Sequence, residues 1–149
     1  MRQHILVIED DPGIRDLLTD TLTSGGYAVT TTDSALGAGT LVRRVVPRLI
    51  VLDLGLPYRS GGSLLHDLKA DPATAKIPVL VVSALADSLS PERRALAAGV
   101  VPKPFSPDAL LVAVDKACRT YGVMPQVFGT GRGSGSSEAR LVGPAERLS

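Results

Sequence analysis

Residues 49–53 read Leu49-Ile50-Val51-Leu52-Asp53, four aliphatic residues closed by a carboxylate. A run this short, apolar at every position rather than every second one, fits a parallel strand covered on both faces. Two further runs share the pattern, His4 to Ile8 (HILVI) and Val79 to Val82 (VLVV), and two weaker ones are Tyr27 to Thr31 and Val100 to Val101. The segments between them carry helix signals. Asp11-Pro12 places a capping carboxylate before an N1 proline, and Ile14, Leu17, Leu18 and Leu22 recur at helical spacing until Gly25-Gly26. Ser90-Pro91-Glu92 and Ser106-Pro107-Asp108 repeat the start signal, the latter opening a helix to Tyr121 with Leu110, Leu111 and Val114 on one face. The alternation predicts an α/β fold of βαβ units with right-handed crossovers, five strands and five helices within about 120 residues.

Composition narrows the function classes. The chain has 149 residues, 44% hydrophobic and 21% charged, which suits one globular domain rather than a disordered or disulfide-built protein. Sixteen basic and fifteen acidic residues leave a formal charge of +1, so no global field holds nucleic acid or an anionic membrane. Aromatics make up 3%, too few for base-stacking platforms. Cys118 is the single cysteine, which excludes an internal disulfide and a Cys-rich zinc site. No uncharged apolar run approaches the roughly 18 residues of a membrane span, and the expected compartment is the cytoplasm.

Past Tyr121 the texture changes. Gly129 to Ser137 (GTGRGSGSS) is linker composition, so a domain over residues 1–121 and a flexible Gly/Ser-rich tail over 122–149 are expected. The alternating glycines neither follow a strand nor open a helix, which excludes a dinucleotide fingerprint.

The candidate chemistry lies where strands end. Glu9, Asp10 and Asp11 follow the first strand and Asp53 ends the third, so a parallel sheet delivers all four carboxylates to its C-terminal edge, where open α/β sheets bind ligands. Crowded carboxylates repel one another unless a cation sits among them, and hard oxygen ligands suit Mg²⁺. Asp11, beside Pro12, also reads as a helix cap. Ser83 ends the fourth strand and Lys103 follows the fifth, bringing a hydroxyl and an ammonium to the same edge. A phosphoryl group on a carboxylate requires donors and cations of this kind around its oxygens.

With these residues in place, the sequence resembles the response-regulator receiver domain of two-component signalling. The matching stretches are ILVIEDDPGIRDLL, LIVLDLGLPYRSGG, KIPVLVVSA and KPF, within residues 3–120. The resemblance implies a flavodoxin-like doubly wound sheet of order 2-1-3-4-5. It makes Asp53 the phosphoacceptor, Asp10 the direct Mg²⁺ ligand, Glu9 a ligand through water, Gly55 a backbone-carbonyl ligand, and Ser83 and Lys103 the phosphoryl-binding pair. Asp11 is peripheral to that set. It further implies a sensor histidine kinase or phosphotransfer protein as donor, output through protein contacts with no direct nucleic-acid binding, and a cis bond at Lys103-Pro104.

Two departures stand out against the family. Val100 occupies the position, three before the lysine, where receivers commonly carry an aromatic switch residue, and the loop before the fifth strand is short, since Gly99 leads directly into Val100. A receiver-like module that binds its partner without phosphorylation is therefore an alternative. An aspartyl-phosphate hydrolase is a weaker one, because Gly55 leaves no second carboxylate two residues after Asp53. Among the remaining candidates, His66 and the pairs Arg43-Arg44 and Arg93-Arg94 read as wet helix positions, with Arg93-Arg94 also placed to contribute to a docking face. Cys118 reads as packing.

Overall fold

The chain is described here from a computed structural model, which covers residues 2–122, with side chains through residue 120. The expected tail lies outside the described residues apart from Gly122. Met1–Cys118 forms one compact unit; of a second, Arg119–Ser149, only residues 119–122 are described.

Five strands, β1 (His4–Ile8), β2 (Ala28–Thr32), β3 (Leu49–Leu52), β4 (Val79–Ser83) and β5 (Gly99–Pro102), alternate with five helices. The helices are α1 (Pro12–Ser24), α2 (Ala38–Val45), α3 (Gly61–Ala70), α4 (Pro91–Arg94) and α5 (Pro107–Gly122), with a short 3₁₀ turn at Ala86–Ser88. All strands are parallel in the order β2-β1-β3-β4-β5, the doubly wound flavodoxin-like arrangement.

The continuous apolar runs are explained by burial on both sides. Successive residues of a strand point to opposite faces. Leu6, Ile8, Ile50, Leu52, Val79 and Val81 pack with α2 and α3 through Ala38, Val42, Leu64, Leu65 and Leu68. Ile5, Val7, Leu49, Val51, Leu80 and Val82 pack with α1 and α5 through Leu18, Leu22, Leu110 and Val114. Each fully buried aliphatic side chain contributes about 1.5–3 kcal/mol of transfer free energy, which fixes strand register against slippage.

Helix starts follow their sequence signals. Asp11 Oδ1 accepts from the Gly13 and Ile14 amides, Ser60 Oγ from Ser63, Ser90 Oγ from Arg93, and Ser106 Oγ from Ala109. The start of α4 is as read, but the helix has only four residues. The Leu96 and Ala97 amides bond the carbonyls of Arg93 and Arg94, three residues back, and the Ala98 amide already bonds Val79 in the sheet. The short approach to β5 tightens the chain before another α turn can form.

Candidate functional site

Each site residue is carried to the C-terminal edge of the sheet by a neighbouring strand. β1 ends at Ile8, so Glu9 and Asp10 turn over its end; Asp53 follows β3, Ser83 closes β4, and Lys103 follows β5. The register aligns Ile8 with Leu52 and Ser83 with Pro102, which sets these groups side by side. One ligand oxygen each from Glu9, Asp10 and Asp53 lies within 4.8 Å of the other two. This donor set, three carboxylates with one exposed toward solvent, fits a hard divalent cation.

Glu9 is only 1% exposed and Asp53 7%. Lys103 Nζ donates to Glu9 Oε1 at 2.6 Å and stands 3.7 Å from Asp53 Oδ2, so one ammonium faces both buried carboxylates. The Asp11 amide donates to Glu9 Oε2. Burial raises the Glu9 pKa above the ordinary carboxylate value, and the neighbouring Asp53 charge adds to the rise, while the Lys103 and Asp11 hydrogen bonds oppose it. Gly55 lies against this group, since a Cβ added there would stand 3.8 Å from Asp53 Oδ2.

Ser83 is fully buried, and its Oγ accepts from the Leu85 amide at 3.0 Å and the Leu54 amide at 3.4 Å. The hydroxyl thus ties the loop after Asp53 to the loop after β4. The Lys103–Pro104 peptide is cis, as the resemblance implied. Asp11 caps α1 and stands outside the three-carboxylate group. Val100 is half-buried, packed against the core on the α2–α3 side of the sheet.

Three supporting contacts were not legible in the sequence. Arg15 Nη1 donates to the carbonyls of Glu9 at 3.1 Å and Asp10 at 3.3 Å, fixing the acidic turn from the first turn of α1. Its position four residues after a capping Asp is the only available signal, and it becomes informative only once the turn between β1 and α1 is known. Arg59 donates to Ser63 and pairs with Asp67, latching the loop after Asp53 to α3. Arg93 is not a wholly wet residue: its guanidinium lies over Gly62, whose added Cβ would stand 3.2 Å from Nη1. His66 is exposed beside Asp67, as a wet helix position should be, and Cys118 is buried as a packing residue, with its thiol pKa raised by that burial.

The family model of the response regulator receiver domain matches residues 5–115. Protein Rrf1 of Nitratidesulfovibrio vulgaris is 32% identical over 123 residues, covering 81% of this chain and 86% of its own. The DNA-binding dual master transcriptional regulator RpaA of Synechocystis is 34% identical over 83% of this chain and 52% of its own. The chain spans about half the length of several curated relatives it matches, RpaA among them. A sensor protein from Polaromonas sp. JS666 superposes with TM-score 0.76 at 31% identity, covering 81% of this chain and 99% of that one. The receiver domain of a Pseudomonas aeruginosa sensor histidine kinase shares the fold, with TM-score 0.71 at 24% identity over 80% and 99% of the two chains. The chain belongs to the response regulator receiver domain family, the signalling modules of two-component systems. Among the described residues no helix is long and apolar enough to cross a membrane.

Proposed function

We propose that this domain takes a phosphoryl group from a histidine of a sensor kinase or phosphotransfer protein onto Asp53, and that it signals through protein contacts. The observation that carries the reading is the convergence of the Glu9, Asp10 and Asp53 carboxylates within 4.8 Å, with Lys103 facing two of them. Phosphorylation on aspartate is generic to the family.

Asp10 and Asp53 would hold Mg²⁺ directly, with Gly55 through its carbonyl and Glu9 through water. Bound there, the cation supplies charge neutralisation to the transferring group. The Pseudomonas receiver domain was solved with a magnesium ion coordinated in its active site cleft; in this chain the donor set itself supports the metal. An Asp53 oxygen forms the new O–P bond as the donor's N–P bond breaks, and the departing imidazole nitrogen keeps the electron pair and takes up a proton. Lys103, 3.7 Å from Asp53 Oδ2, would pair with a phosphoryl oxygen, and the Ser83 hydroxyl, whose oxygen accepts the Leu54 and Leu85 amides, would donate its hydrogen to another.

RpaA, of which the matching region covers 52%, is a DNA-binding regulator. For this chain, with its net charge of +1, we favour output through protein partners.

Incubation with acetyl phosphate and Mg²⁺, read by intact mass, should add one phosphoryl group. Chelation should abolish it, and so should Asp53→Asn, which is nearly isosteric and keeps the fold. Persistent labelling of Asp53→Asn would place the acceptor elsewhere. A wild-type chain that never labels, yet still binds a partner, would favour the phosphorylation-independent module.

A further inference from the structure

Tyr58 sits in the loop that begins at Asp53, in a backbone conformation that an L-residue adopts only against its preference. Its φ is +69°, and the Arg59 amide donates to the Pro57 carbonyl at 2.7 Å, closing a γ-turn of the rare positive-φ kind around it. Glycine would hold this turn without strain. Among the described residues the other non-glycine one with positive φ, Val46, has a structural use, since its amide closes α2 on the Val42 carbonyl. Tyr58 offers the interior nothing comparable, because the residue is 85% exposed. The turn aims Arg59 at α3, but an exposed aromatic ring there, where glycine would hold the turn without strain, points outward, to a contact made with another molecule.

The ring is also pre-positioned. Pro57 restricts the chain before it, and Arg59 behind it is bonded to Ser63 and Asp67 of α3. An aromatic side chain held on a fixed base loses little freedom on binding, which suits it to anchor an interface. Across the rim stands Leu85, 50% exposed, whose Cδ1 would lie 3.4 Å from a Cβ at Gly55. Tyr58 and Leu85 thus come from the two loops that flank the recessed Asp53.

We infer that Tyr58, with Leu85, is the docking anchor for the protein that carries the phosphohistidine, an inference that rests on the phosphoacceptor reading above. A small phosphodonor enters the cleft alone. A protein that brings an imidazole-bound phosphoryl group to a carboxylate 7% exposed must lay its surface against the loops at this edge, and these two present the exposed apolar side chains Tyr58 and Leu85. The matching surface is an apolar cleft for the phenol ring beside the histidine.

The test compares donors on the full chain. Tyr58→Asn suits the turn because Asn tolerates positive φ, and Tyr58→Phe keeps the ring. Phosphoramidate serves as the small donor. The protein donor is the autophosphorylated histidine kinase core, among those of the source genome, that labels wild type fastest. Tyr58→Asn is expected to melt no lower than wild type, to take label from phosphoramidate at a rate within about twofold, and to take it from the kinase about tenfold or more slowly. Tyr58→Phe should stay close to wild type with both donors. Equal loss with both donors would make Tyr58 a part of the loop's own geometry, and no loss with the kinase would remove it from the interface; either overturns the inference. Wild type that takes label from neither donor overturns the phosphoacceptor reading itself, and the inference with it.

Discussion

Glu9 and Asp10 are adjacent in sequence and opposite in environment. Glu9 is buried with Lys103 and the Asp11 amide as partners, whereas Asp10 is exposed and brings a further negative charge to the same few ångströms. Asp10→Asn removes like-charge repulsion and one carboxylate of the proposed Mg²⁺ site together. Its melting temperature without metal should therefore rise by roughly 3 °C while Mg²⁺ affinity, followed by titration calorimetry, falls. A fall in melting temperature without metal would make Asp10 a structural residue. Lys69 gives a different kind of test. Its ammonium donates to the carbonyls of Ala75 and Ile77, yet burial lowers its pKa from 10.5 to about 8. Between those values the unfolded chain binds more protons than the folded one, so this group makes stability rise with pH from about 8 to 10.5. The melting-temperature difference between wild type and Lys69→Gln should widen in wild type's favour across that window. A difference independent of pH would show that Lys69 titrates as it does in the unfolded chain.

Elements explain which parts of this fold are written plainly in the sequence. β1, β3 and β4 are legible almost to the residue because both faces of an inner parallel strand are buried, leaving no polar position to blur the run. β2 and β5 are the outer strands, half-buried, and their Thr-rich or two-residue signals are correspondingly faint. The strand-end residues Glu9, Asp10, Asp53, Ser83 and Lys103 were legible for the same reason, since a parallel sheet fixes where each one emerges. The Arg15 and Arg59 contacts depend on loop paths that no periodicity encodes, and the length of α4 depends on how soon the chain must enter β5. Gly61, at the start of α3, shows how tightly one element is fitted to the site. Its amide bonds the Leu54 carbonyl, and a Cβ there would collide with the Asp53 carbonyl oxygen and stand 2.7 Å from Leu54 Cα. These are backbone atoms that cannot swing aside. Gly61→Ala should cost about 2–3 kcal/mol in denaturant unfolding and slow the proposed labelling of Asp53, because the Asp53 backbone itself must shift. Unchanged stability would show that the loop between Asp53 and α3 yields without strain.

At the scale of the whole molecule the question is how far an event at Asp53 travels. Ser83 Oγ is the accepting atom for the Leu85 and Leu54 amides, so a hydroxyl drawn toward a phosphoryl oxygen weakens bonds that hold the start of the segment from Ser83 to Ser90. Beyond that segment the relay is thin. α4 has four residues and none of them is fully buried, so little helical surface stands ready to shift as a unit. Val100 is half-buried against the α2–α3 side of the sheet, and a β-branched side chain with one χ angle cannot trade a buried position for an exposed one as a ring can. The area it could expose or cover is small, and a two-state equilibrium moves only by the difference in free energy between its states. Binding beryllofluoride and Mg²⁺ at Asp53 should therefore change amide hydrogen exchange chiefly from Ser83 to Ser90, the Leu85 amide included, with little change along α5. Comparable protection changes throughout α5 would show that this chain couples its site to that helix without an aromatic at position 100, with the sheet itself, rather than a side-chain switch, as the transmitting element.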